Sequence, residues 1–305
     1  MLTELTIEES NFHGLKWIEP GMDSIRFQNS LGIEVDSTAL ADYLATVEGR
    51  SQIRKLVISP SSSLMDLKVI KAIPNVSIIR VYGYQIKSID GLEGVKQADY
   101  LEIRTESNRH RTISGLSRAS IKRMDVQFAR PEDIDGIAEC LTLQSLDLSH
   151  SKDIDFSKWN RVPLENIGIL QGKFKELGNL SQVRSLKKLR VLGCRSLERF
   201  SGDNSRIVWM LIEGSKKLDL RTLQTFQGIE ALVVNGNPME IALSEIGELR
   251  QLKALWLINC NVQVDTSNLR SQFPVLEEIH ISNMNKEHTM ELRQFNPDIT
   301  ITGKK

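Results

Sequence analysis

The residues of this chain best suited to ligate a metal or attack a bond are five histidines and three cysteines. The histidines are His13, His110, His150, His280 and His288. Metal ligation needs such residues a few positions apart, and a nucleophile needs a base within hydrogen-bond reach. None of the five shows that spacing. His150 lies near Asp147 and Ser149, but neighbours along a strand alternate faces, and no oxyanion device is visible. Cys140, Cys194 and Cys260 are far apart and odd in number, which argues against a disulfide framework and gives no zinc spacing. No glycine loop cradles a phosphate, and no paired-carboxylate motif is present. The run SNRHRT at 107–112 is basic but brief; it reads as a solvated loop, with contact to a phosphate or nucleic acid as the other reading. The chemistry left open is recognition. No catalytic residue, cofactor or metal is expected.

The elements that would carry such recognition belong to an ordinary soluble composition. The chain has 305 residues, 40% hydrophobic and 26% charged, enough to bury a core in one large domain or two. Lys plus Arg and Asp plus Glu are 39 each, so there is no general attraction to nucleic acid or an anionic membrane. Acidic residues occupy the start, where a signal peptide needs a basic region and an apolar run, and no stretch approaches a membrane span. The expected location is cytoplasmic. The glycosylation acceptor patterns at Asn75 and Asn179 carry little meaning without secretion.

A period organises the rest. An apolar residue, two others, an apolar, one other and an apolar recur from Ile53, Val76, Ala98, Ile121, Leu143, Leu164, Leu186, Ile207, Ile229, Leu252 and Leu276. The spacings are 23, 22, 23, 22, 21, 22, 21, 22, 23 and 24. The clearest units are LQSLDLSHS from Leu143, LKKLRVLGC from Leu186, IEALVVNGN from Ile229 and LKALWLINC from Leu252. Within each, the apolar residues alternate as in a half-buried strand, and a loop with a further apolar group follows, such as Ile246 and Leu249. One unit cannot bury its apolar side alone, so the units must stack.

These segments resemble the leucine-rich-repeat family, in the class of roughly 22 residues that includes internalins and phosphatase-regulating repeat proteins. The resemblance covers about residues 50–301. It implies an α/β fold: a right-handed solenoid, or horseshoe, with a concave parallel sheet and short helices or 3-10 turns on the convex side. It implies inward structural roles for the ninth-position residues Cys194, Asn237 and Cys260. Ser61, Tyr84, Glu106, Ala129, Ser151, Gly172, Ser215 and Met284 depart from that pattern, and repeats one to four are irregular. The family mostly binds unrelated partners, so the resemblance speaks for fold more than for function.

The expected organisation is an N-terminal cap at 1–50, eleven repeats at 51–295, and a C-terminal cap strand and tail at 296–305. In the N-cap, Leu5-Thr-Ile7, Leu15-Lys-Trp17 and Ile25-Arg-Phe27 read as short strands, with a turn at Pro20-Gly21. Ser37-Thr38 is the expected cap of a helix through ALADYLATVE, with Leu40, Tyr43, Leu44 and Val47 on one face. Ile299-Thr-Ile301 reads as a last strand before a loose GKK tail.

Unit positions three, five and seven flank the buried strand residues and face outward. In the first half they hold Arg80, Tyr82, Tyr100, Glu102, Arg104, Arg123, Asp125, Gln127 and Asp147, with His150 just beyond. In the second half they hold Leu170, Arg190, Leu192, Trp209, Leu211, Val233, Trp256 and Ile258. Leu211, Val233 and Trp256 share one position in successive repeats and should touch, with Trp209 beside them. Such a patch marks an interaction site, and Trp, Tyr and Arg dominate binding energies. Three alternatives stay open: a register slipped by one would turn Trp209 and Leu211 inward, a loop could cover the patch, and the mixed charges could serve solubility alone. The expected function is a non-catalytic module, monomeric when free, that binds a folded protein partner. Its narrower form is an inhibitor or immunity protein that neutralises a toxin or enzyme. The alternative is a bacterial effector delivered to a host. Neither nucleic acid nor membrane is an expected partner.

Overall fold

The computed structural model of the protein describes residues 3–104, 112–178, 180–263, 269–284 and 286–303. Most of the basic run at 107–112, with His110, lies outside them, as do Glu106, Asn179 and the last two lysines. The chain divides into two compact units, Met1–Asp147 and Leu148–Lys305.

The first unit is a parallel sheet whose strands follow chain order: β1 (Thr3–Glu8), β2 (Met22–Gln28), β3 (Lys55–Ile58), β4 (Ile78–Val81), β5 (Tyr100–Ile103) and β6 (Arg123–Gln127). β7 (Ser145–Ser149) holds the boundary between the units. Helix α1 (Ser37–Thr46) buries Leu40 and Leu44, as its apolar face requires. Its cap corrects the sequence reading. Asp36, one residue earlier than expected, accepts a hydrogen bond from the Thr38 amide at 2.8 Å. Leu15-Lys-Trp17 is also corrected: the chain makes a 3-10 turn over Glu9–Gly14, and Trp17 forms only an isolated bridge to Glu48. The cause is Glu9. Its fully buried carboxylate accepts from the Ser62 and Ser63 hydroxyls and the Ser63 amide, which draws the chain inward where a strand would continue. The unit also contains α2 (Pro131–Ile137), with proline at its first turn, where no amide is needed.

The second unit has seven sheet strands in chain order: β8 (Asn166–Leu170), β10 (Lys188–Leu192), β12 (Trp209–Glu213), β13 (Ala231–Asn235), β15 (Ala254–Ile258), β17 (Glu278–Ile281) and β18 (Thr300–Thr302). Two-residue strands pair separately: β9 (Glu176–Leu177) with β11 (Arg199–Phe200), and β14 (Ile241–Ala242) with β16 (Val262–Gln263). Its described residues also form the helices α3 (Leu269–Gln272) and α4 (Lys286–Phe295). α4 was not expected; it buries Leu292, and the Arg293 guanidinium donates to Ile301 O of the last strand, Nε at 3.0 Å.

The period becomes core in both units. All eleven first-position residues, from Ile53 to Leu276, are buried, and so are the fourth- and sixth-position residues of every repeat. Burying each of the larger aliphatic side chains among them contributes roughly 1.5–3 kcal/mol relative to exposure. On the side away from the strands, 3-10 turns supply the facing apolar layer: Val69 and Ile70, Leu92, Leu116, Leu180, Leu220 and Leu223, Leu243 and Ile246. Phe200 and Phe226 meet edge to face at 5.0 Å, and Phe156 meets Trp159 at 5.4 Å.

The ninth position turns inward from the fourth repeat onward, at Ala129, Ser151, Gly172, Cys194, Ser215, Asn237, Cys260 and Met284. The Cys194 thiol donates to Ile169 O at 3.6 Å and accepts from the Gly172 amide at 3.3 Å. Asn237 donates to Leu218 O and accepts from the Met239 amide, both at 2.9 Å. Ser61 and Tyr84, at the same position in the first two repeats, are exposed. There Ser62 takes the inward place, one residue later, because it must reach Glu9. The residue before the inward one adopts positive φ at Phe128, His150, Gln171, Gly193, Gly214, Gly236 and Asn259. In the second unit that bend aims the Gln171, Gly193, Gly214 and Gly236 amides at the next strand's Leu192, Glu213, Asn235 and Ile258 carbonyls, at 2.7–2.9 Å.

Candidate interaction surfaces

In the first unit, strand register sets Arg80 beside Glu102 and Glu102 beside Asp125 on the face away from the core. Their relation differs from the solvated columns expected. Glu102 is only 4% exposed and Asp147 7%, although both point outward. The arginines fold over them. Arg104 Nε lies 2.6 Å from Glu102 Oε1 and its Nη2 3.2 Å from Asp125 Oδ2, while Arg80 Nε lies 3.3 Å from Glu102 Oε2. Arg123 Nη2 reaches Asp147 Oδ2 at 3.1 Å, and the Tyr82 hydroxyl donates to Glu102 Oε2 at 3.0 Å. Tyr100 sits between two cations, its ring 6.0 Å from the Arg80 guanidinium carbon and 5.5 Å from that of Arg123.

Electrostatics follow from this layering of carboxylates below and guanidinium groups above. Burial, then the negative charges of Glu102 and Asp125, pushes the Tyr100 hydroxyl up to about 12. Burial and the Glu102 hydrogen bond raise Tyr82 as well. Asp125 is held above the usual carboxylate range by burial, with Asp147 and Glu102 adding to the rise and Arg104 opposing it. Its Oδ1 is buried without a hydrogen-bond partner among the described residues. The bonds between arginine and carboxylate hold Arg104 and Arg123 in place.

In the second unit the strand register excludes the slipped alternative. Met210 and Ile212 are buried, and Trp209 and Leu211 lie half-buried on the outer face. Leu211 pairs with Val233 and Val233 with Trp256, an aliphatic-to-aromatic row across three adjacent strands. Trp256 is 43% exposed and donates its indole N–H to Glu278 Oε1 at 3.1 Å. That bond ties down the polar edge of a ring that stays partly open to solvent. Sequence reasoning missed Glu278, which the register sets beside Ala254, on the strand next to Trp256. Arg190 and Leu192 lie alongside on β10, opposite Leu211 and Glu213. Ile258 is separated from Leu192 along the seventh-position row by Glu213 and Asn235. It therefore borders the row from Leu211 to Trp256 without joining Leu170 and Leu192.

The histidines are dispersed. His13 packs on Phe12 and Tyr43, at 4.0 and 5.0 Å between ring centres. His280 Nδ1 lies 2.9 Å from the Thr302 hydroxyl. Among the described residues no group of three or more His, Cys, Asp or Glu side chains is placed to hold a metal ion. Burial raises the thiols of Cys194, to about 11, and Cys260. No helix of the described residues is long and apolar enough to cross a membrane.

No family model matches the sequence, and no curated protein matches it. Solved structures do. An internalin, inlF, from Listeria monocytogenes superposes with a TM-score of 0.53 at 13% identity, over 99% of this chain and 86% of that one. The functional domain of InlJ from Listeria monocytogenes gives a TM-score of 0.43 at 13% identity, over 99% and 68%. The Toll–Spatzle complex of Drosophila gives 0.49 at 12% identity, over 93% of this chain and 47% of that one. With apolar residues buried once per coil, parallel strands in chain order and the internalin likeness, the chain has the leucine-rich-repeat solenoid fold.

Proposed function

We propose that this chain is a non-catalytic protein-binding module, and that a folded partner seats on the outer sheet face of the second unit. The observation that carries this reading is the in-register row Leu211, Val233, Trp256, flanked by Trp209, on a face the core does not use. Water-exposed apolar area of this kind gains free energy when covered, and a tryptophan fixed by Glu278 loses little rotamer freedom on binding. Arg190, Leu192 and Ile258 border the row. In the first unit, Tyr82, Tyr100, Arg104, Arg123 and Asp147 form a preorganised polar surface suited to the same work.

The narrower form of the reading is an inhibitor, of the immunity-protein type, whose partner is a toxin or enzyme. A surface whose contacts are already ordered can act on a partner by occluding it. A cytoplasmic setting accords with the three cysteines, all buried and unpaired. The test is affinity capture with wild type and a Trp209→Ala/Trp256→Ala variant, followed by growth rescue with the captured partner. Capture should fall more than about thirtyfold, as for central hot-spot residues. Undiminished capture by the variant refutes the tryptophan surface. Partner activity untouched by the bound module refutes the inhibitor form alone.

A further inference from the structure

A second column in the Leu148–Lys305 unit has no part in the surface above. The tenth position of four successive repeats holds Lys152, Lys173, Arg195 and Lys216. Each follows a buried residue at the bend, namely Ser151, Gly172, Cys194 and Ser215, so the same local geometry sends each cation outward. All four are exposed. Neighbouring coils rise at the strand spacing of about 4.8 Å, which lines four charges along roughly 15 Å.

These cations are left over after local pairing. Carboxylates on the same loops are already engaged: Glu198 by Lys175 at 3.4 Å, Glu176 by Arg199, and Asp219 by Arg221 at 2.9 Å. Among the described residues, none of the four tenth-position cations makes an ion pair. Asp153 follows Lys152, so the positive field is strongest over the other three. Lys173 and Arg195 also line one cleft of about 490 Å³, together with His150, Gly172, Gly193 and Ser196. Like charges held this close repel one another, and among the described residues no ion pair offsets that repulsion; an incoming row of anions would.

We propose that this ridge receives a row of carboxylates from the partner protein, an acidic segment bordering the contact made at Trp209, Leu211, Val233 and Trp256. The inference rests on the reading of this unit as a protein-binding surface and adds the partner's charge to it. Interfaces of this kind place an apolar centre inside a charged rim, and rim charges set orientation and speed of encounter. Carboxylates on one face of an extended chain recur at about 6.7 Å, within reach of flexible lysine stems on this spacing. A nucleic acid fits less well. The column ends after four cations, at Pro238 and Asn261 in the next repeats, and of the residues lining the cleft His150 alone carries a ring, too few for successive bases to stack on.

The test uses the full chain and fluorescence anisotropy with a labelled ten-residue polyglutamate peptide, and a ten-nucleotide oligothymidylate as the rival anion. Polyglutamate should bind wild type and bind a Lys173→Glu/Arg195→Glu/Lys216→Glu variant at least about tenfold more weakly, with the affinity falling steeply as salt rises. A triple glutamine variant of the same residues, checked by thermal melting, carries the test should the reversed variant not fold. Equal binding to wild type and both variants overturns the proposal. Tighter binding of the oligothymidylate through the same three residues overturns it in favour of nucleic acid. The Trp209→Ala/Trp256→Ala variant should bind polyglutamate as wild type does. A failed ridge therefore leaves the tryptophan surface standing, and a failed tryptophan surface shows in partner capture alone.

Discussion

The Tyr82 hydroxyl donates to Glu102 Oε2 at 3.0 Å and so closes one side of a carboxylate that points away from the core yet is 4% exposed. Arg104 and Arg80 close the rest. Removing the hydroxyl with Tyr82→Phe deprives a buried charge of a donor. The expected loss is about 2 kcal/mol of unfolding free energy, read from urea denaturation, because hydrogen bonds to charged groups exceed neutral ones. A loss within error of zero would show that water replaces the hydroxyl and that this carboxylate is solvated after all.

Tyr100 gives a pH signature. Burial and the neighbouring Glu102 and Asp125 charges push its hydroxyl up to about 12, above the ordinary 10.0. The folded state therefore holds this proton more tightly than the unfolded chain does. Its contribution to stability is complete below pH 10 and declines as pH rises from there toward 12. In a spectrophotometric titration, the tyrosinate absorbance that rises near pH 12 should be missing from Tyr100→Phe. Identical titrations of the two proteins would contradict the assignment.

The cysteines should be inert while the protein is folded. Cys140, Cys194 and Cys260 are buried and unpaired, and burial raises the Cys194 and Cys260 thiols, so little thiolate exists to react. A disulfide-exchange reagent at about pH 8, half a unit below the free-thiol pKa, should find no fast thiol in native protein. It should find three after denaturation, one for each cysteine. One thiol reacting quickly in the native state would mean that a coil end opens.

Two tryptophans should behave in opposite ways. Trp159 is fully buried against Phe156, and Trp159→Ala should destabilise by about 4 kcal/mol through lost burial and a cavity. Trp256 is 43% exposed, and Trp256→Ala should change stability by only about 0.5 kcal/mol. Thermal and chemical melts of both variants decide this. A large loss in Trp256→Ala would recast that ring as structural and weaken its use as an anchor.

Much of this architecture was legible without coordinates because a stacked repeat makes burial local. Whether Leu189 or Met210 is inside depends on its own coil and on the coils one period away, so a periodic pattern is enough to place it. The same logic gave the Leu211, Val233 and Trp256 row, whose members share a position and hence a register. The tenth-position cations were equally periodic. They stayed unread because their meaning depends on which carboxylates are already engaged, as Glu198 is by Lys175.

The sequence by itself determined the repeat, its inward rows and the residues offered on its outer face. The tertiary structure alone decided the fate of the charges and the course of the N-terminal segment. Glu9 folds its segment into a turn because it reaches Ser62, 53 residues onward, and Glu102 is covered because Arg104, just past its own strand, and Arg80, on the neighbouring one, lean over it. Apolar burial is non-directional and additive, so a one-dimensional pattern encodes it. A hydrogen bond or ion pair needs two groups at the right distance and angle, and only the packed chain fixes those.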